Sequence, residues 1–246
     1  MKDGDVLSTI NKNKLKFQLI LFLKKNIAQL FIIAMFSCNL ALSNESMIFQ
    51  IKNGYNGGID YKFWILLLLL IIYTYLSKVY EETSAYFTSI GYTRNSYYQG
   101  TMIVSLILSI VTTTITLLAY MLSIIASELY KDYDVIPYMG FYFNGFTIKS
   151  CIAIMVVTFS IMTLICAIAN FISVITFSNR IFKIVVSVII LTPMLLILFN
   201  ISYGSNIEKL IFSIDKSFNL TILLYFLISI LLYILGKKVF MKIDIN

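Results

Sequence analysis

Histidine is absent from the chain. That absence excludes imidazole metal sites and histidine acid–base chemistry near neutral pH. Charge is scarce: 13% of residues are Asp, Glu, Lys or Arg, where a soluble domain has about a quarter. Proline occurs twice and cysteine three times in 246 residues. Cys38, Cys151 and Cys166 show no CxxC spacing and lie in or beside apolar runs. Neither a disulfide framework nor a zinc site is implied, and they read as small packing residues. No G-x-x-x-x-G-K-[ST] phosphate loop occurs, so the chain has no ATPase site of that kind. The apolar runs hold no clear buried charge, which disfavours a proton- or ion-coupled carrier.

Apolar residues fill the space that charge leaves. They make up 59% of the chain, and mean hydropathy is +0.89. These values describe an integral membrane protein, with 1–246 forming one transmembrane domain. Net charge is +7. The basic residues flank apolar runs, where they set orientation and touch anionic lipid. Membrane lipid is therefore an expected partner and nucleic acid is not. No cleavable leader is expected, because the run 17–23 ends at Lys24-Lys25 rather than at small residues.

The expected fold is all-α, with six spans near 26–43, 63–77, 101–127, 150–178, 184–202 and 218–235. Residues 14–25, KLKFQLILFLKK, are too short to cross. They either lie along the interface or prolong span one with Lys24 and Lys25 snorkelling. Trp64 stands where an aromatic belt belongs. Span three holds 27 uncharged residues, thirteen of them Leu, Ile or Val. Ser105, Ser109 and Thr113 form a small-residue stripe along it, read as helix packing within the subunit. Asn170 in span four is expected to hydrogen-bond another helix. The FYFNGF segment between spans three and four reads as a solvated loop with aromatic anchors. Pro193 should kink span five and is a possible hinge. Gly236 reads as the stop of span six, before Lys237 and Lys238. With both termini inside, thirteen Lys and Arg fall on the inner side and six outside, as the positive-inside rule requires.

One stretch stands out, KVYEETSAYFTSIGYTRNSYYQG at 78–100. It lies between two spans and carries Glu81, Glu82 and Arg94, which are costly to leave in hydrocarbon. It reads as span two continuing past Lys78 as helix, a short helix from Glu81 to Ile90, a turn allowed by Gly91, and a new helix capped by Thr93. Arg94 stands at a helix start, where a cation gains nothing from the dipole, so an outside partner is expected. The result is a cytoplasmic helix-turn-helix knob.

The residues Gly91, Thr93, Arg94, Tyr97 and Gly100 spell G-x-[ST]-R-x-x-[FY]-x-x-G. With the six-span layout, this resembles the small ABC-2-type permeases, the membrane halves of ATP-driven exporters. The resemblance covers nearly the whole chain as architecture, not as residue identity. It implies a cell-membrane protein that begins with an interfacial helix, here 14–25, and works as a dimer, identical or paralogous, with a separate ABC ATPase gripping each knob. ATP and Mg would then sit on that partner, with no cofactor in this chain. Its implied contacts are Glu81, Glu82, Tyr86, Gly91, Thr93 and Arg94. The cargo would be hydrophobic or amphipathic, such as an antimicrobial peptide in export or immunity. The Lys, Asn, Ile and Tyr content suits a low-GC Gram-positive genome. Glu81-Glu82 also resembles the start of an intramembrane protease motif, EExxxR, but Tyr86 stands at the arginine position. An enzyme is not expected. A membrane component of a vitamin importer and an accessory membrane protein stay open.

Overall fold

The computed structural model describes residues 16–17, 20, 29–39, 61–126, 135–138, 141–144, 148–177 and 218–242. They form helices α1 (Gln29–Asn39), α2 (Tyr61–Ser89) and α3 (Arg94–Ala126), strands β1 (Val135–Tyr138) and β2 (Phe141–Asn144), then α4 (Ile148–Phe177) and α5 (Phe218–Phe240). The helices α2, α3, α4 and α5 are long and apolar enough to cross a membrane. This is the make-up of a multi-pass membrane protein.

Helix α2 has 29 residues and α3 has 33. At ~1.5 Å per residue they run about 43 and 50 Å, beyond a hydrocarbon layer of about 30 Å. Neither contains proline, and α2 contains no glycine. Nothing in the sequence of α2 therefore breaks it near Lys78. Span two continues past Lys78 as helix, as expected, and the Glu81–Ile90 stretch is the last part of α2, which ends at Ser89. Lys78 and Glu82, one turn apart, form an ion pair at 3.8 Å. Thr83 and Thr88 donate to the carbonyls four residues back, at 2.6 and 3.1 Å. Charge and hydroxyls that look loop-like in the sequence are thus absorbed by the helix.

Helix α4 is the hub of the bundle and packs against α2, α3 and α5. Its buried positions include Ser150, Ser160, Ala167, Ala169 and Ser173, small residues that let helices approach closely. Phe159 meets Phe226 at 5.9 Å, and Phe177 meets Phe240 at 6.3 Å, so α4 and α5 run in the same direction. Helix α3 runs opposite to α5, because Arg94 meets Met241 while Ser105 meets Tyr233. Helix α1 joins at the far end of α3. Thr116 Oγ1 donates to the Ser37 carbonyl at 3.3 Å, and Phe36 lies 5.8 Å from Trp64 of α2.

Two expectations change. The FYFNGF segment is not simply loop: Phe141–Asn144 pairs antiparallel with Val135–Tyr138, so a small hairpin adds to the helices. Alternating apolar and aromatic residues there favour a strand. Span six does not stop at Gly236 but reaches Phe240. Arg94 opens α3, as the cap at Thr93 leads one to expect. Span five with Pro193, and most of 14–25, lie outside the described residues; Lys16, Phe17 and Ile20 are helical.

Candidate functional site

The α2–α3 connection is four residues long, and its geometry follows from local chemistry. Gly91 has φ +83°, a conformation that costs other L-residues energy. The Tyr92 N–H bonds back to the Phe87 carbonyl at 3.0 Å, and the Gly91 N–H to Thr88 at 3.2 Å. These two bonds are a Schellman motif, which closes the C-terminus of α2. Its usual apolar contact is present, with the rings of Phe87 and Tyr92 4.8 Å apart. Burial raises the pKa of the Tyr92 phenol, and Tyr86 adds to the effect. Thr93 then caps α3: its hydroxyl accepts from the Ser96 N–H at 3.2 Å, and its carbonyl from the Tyr97 N–H at 3.0 Å. One helix ends and the next begins with no slack residues between.

The knob has two faces. Lys78, Glu82, Tyr86 and Ser89 follow one another along an exposed stripe of α2, and Glu81, Ile90, Gly91 and Thr93 extend that rim. The opposite face, Val79, Tyr80, Thr83, Ser84 and Phe87, is buried. Tyr97 lies 6.0 Å from Tyr80 and 5.7 Å from Phe87, so both arms share one aromatic cluster. Phe240, at the end of α5, plugs that cluster. Its ring lies within 6 Å of Tyr80, Tyr97 and Tyr98.

Hydrogen bonds fasten the buried face to the bundle. Tyr80 Oη donates to Asn170 Oδ1 on α4 at 3.0 Å and lies 2.8 Å from Thr101 Oγ1 on α3. Asn170 Nδ2 donates to Tyr98 Oη at 3.3 Å, and Tyr98 donates to the Tyr233 carbonyl of α5 at 2.8 Å. Tyr97 Oη and Thr83 Oγ1 lie 2.9 Å apart across the hairpin. Ser105 meets Tyr233 Oη at 2.7 Å. The stripe Ser105, Ser109 and Thr113 is thus buried inside the subunit, as expected. Asn170 bonds to other helices, also as expected. In a low dielectric each such bond is stronger than in water, and each unmade one costlier.

Glu81, Glu82, Tyr86, Gly91 and Thr93 all lie on the exposed rim. Arg94 is half-buried and finds a partner within the chain. Its Nη1 donates to the Met241 carbonyl just beyond α5 at 3.4 Å. A guanidinium at the start of α3 gains from the negative end of α5 beside it. Four residues of the site were not singled out from the sequence: Tyr80, Tyr98, Tyr233 and Phe240. Their tyrosine and phenylalanine spacing looks like ordinary apolar helix. Comparison of the chain with family models, characterised proteins and solved structures finds no match.

Proposed function

We propose that this chain is the membrane permease subunit of an ATP-driven exporter of the ABC-2 type. A separate ABC ATPase docks on the rim around Glu81, Glu82, Tyr86, Gly91 and Thr93. ATP and Mg belong to that partner. The observation that carries this reading is the knob's two-faced build. Its outer face is exposed and charged, while its inner face is bonded to α3, α4 and α5. A push on such a knob moves helices rather than a slack loop. Arg94 serves the same site from behind, tying the knob to the end of α5.

The proposed topology has six spans with both ends inside, and two such subunits form the exporter. Because α4 and α5 run the same way, the chain must return between them. One crossing by 184–202 would do so, with Pro193 as its hinge. The cargo is hydrophobic or amphipathic, with an antimicrobial peptide as the leading class. The setting is the cell membrane of a low-GC Gram-positive bacterium.

Purification from native membranes tests the docking. Wild-type protein should carry ATP hydrolysis with it. Tyr86→Ala combined with Glu81→Lys should lose that activity at equal membrane level, since unmatched charge at a docking surface is costly. Equal activity with both proteins, or none with wild type, would remove the proposal.

A further inference from the structure

We propose that Asn170 is the positioning residue of the knob, the joint of a one-way hydrogen-bond chain that ties α4 to both arms of the hairpin. The inference deepens the exporter reading by naming how the rim is held to the bundle. It rests on counting protons among buried groups.

Tyr98 has one hydroxyl proton. That proton goes to the Tyr233 carbonyl at 2.8 Å. Tyr98 Oη can then only accept, so the amide nitrogen of Asn170, 3.3 Å away, must face it. The amide oxygen must therefore face Tyr80, at 3.0 Å. Tyr80 has one proton too, and spends it on Asn170. The 2.8 Å contact between Tyr80 and Thr101 then requires Thr101 to donate. The order is Thr101 to Tyr80 to Asn170 to Tyr98 to the Tyr233 carbonyl. It touches α3, α2, α4, α3 and α5 in turn, and every proton points one way.

A second arrangement is available to the same atoms. Thr101 Oγ1 also lies 2.8 Å from its own acceptor, the Tyr98 carbonyl. If Thr101 donates there and Tyr80 donates to Thr101, the two arms of the hairpin stay joined. Asn170 Oδ1 then loses its donor, because Tyr80 is the only one it has among the described residues. Asn170 is fully buried, and an unmet carbonyl there is costly. The two arrangements therefore differ in whether Asn170 ties α4 to the knob end of α2; farther along, Tyr73 stays bonded to Ser173 and Thr176 in both. A shift of the knob that turns Tyr80 towards Thr101 releases Asn170 of α4 from the knob without parting the hairpin. This is a two-state joint.

The test uses the purified chain in lipid nanodiscs, with no ATPase present, so its failure is separate from a failure of docking. The readout is hydrogen exchange of the backbone amides of 86–98. Asn170→Leu removes both bonds and should speed exchange there about ten-fold, while Thr163→Val should change it less than about two-fold. Thr163 is a suitable control because, among the described residues, its hydroxyl bonds only its own helix, at the Phe159 carbonyl. Asn170→Asp supplies a finer readout. A protonated carboxyl can accept from Tyr80 and donate to Tyr98, whereas a carboxylate cannot donate. Among the described residues, the titratable groups bonded to Asn170 are Tyr80 from α2 and Tyr98 from α3, and Tyr98 in turn bonds Tyr233 of α5. None is a carboxylate or a cation. After correction for intrinsic rates, Asn170→Asp should match wild type near about pH 5 and match Asn170→Leu near about pH 9, as the buried acid ionises. Unchanged exchange in Asn170→Leu would overturn the proposal. So would equal loosening in Thr163→Val, or an Asn170→Asp protein that ignores pH. Where Asn170→Leu fails to fold, the pH response of Asn170→Asp decides.

Discussion

Gly91 and Gly236 are glycines for different reasons, and substitution separates them. At Gly91 the backbone is the constraint: φ is +83°, and a Cβ would meet nothing within 4 Å. Gly91→Ala should cost only the left-handed penalty, about 1–2 kcal/mol. Gly91→Asn should cost less, because asparagine tolerates that region. At Gly236 space is the constraint, since a Cβ would sit 2.6 Å from Tyr98 Oη. Gly236→Ala must push Tyr98 away from the Tyr233 carbonyl and from Asn170. It should lower stability although alanine favours a helix interior by about 1 kcal/mol. Thermal unfolding of the three variants checks the contrast. A Gly236→Ala protein more stable than wild type would contradict the close approach. The turn at Gly91 and the cap at Thr93 are legible in the sequence because both are local devices. Gly236 is not legible, because its reason is a tyrosine 138 residues away in the chain. Arg94 shows the same limit. Its place at a helix start is readable, but the Met241 carbonyl that receives it is not.

At the scale of elements, α5 illustrates how packing overrides a local stop. A glycine followed by two lysines ends many helices, yet α5 continues four residues to Phe240. The gain lies in Phe240, fully buried among Tyr80, Tyr97, Tyr98 and Phe177. Each aromatic pair adds about 0.5–1.5 kcal/mol beyond burial, which outweighs about 1 kcal/mol for a mid-helix glycine. Phe240→Ala should therefore destabilise the bundle by about 3–5 kcal/mol. Equilibrium unfolding of purified protein gives the value, and a loss below about 1 kcal/mol would mean the plug carries little. Thr93→Ala removes one cap and should cost about 1 kcal/mol, with α2 unaffected. Helix periods and apolar runs made α2, α3, α4 and α5 legible. The continuation of span two past Lys78 was legible too, but the Lys78–Glu82 pair and the back-bonded hydroxyls that support it were not.

The whole molecule is a bundle gathered around α4, with four helices meeting at the knob end. If that end lies in the cytoplasm, a membrane-impermeant thiol reagent on intact cells should label Asn56→Cys and Asp132→Cys but not Ser89→Cys. Labelling of Ser89→Cys from outside would invert the proposed orientation. The central claim is that an ATPase grips the exposed rim. The most direct measurement is photo-crosslinking in living cells from an unnatural residue at position 86, which is 46% exposed. Position 227, exposed on α5, serves as the control. The account predicts an adduct at 86 that mass spectrometry identifies as an ABC ATPase, absent when the residue is at 227. Adducts at 86 with lipid alone, or the same partners from both positions, would contradict it.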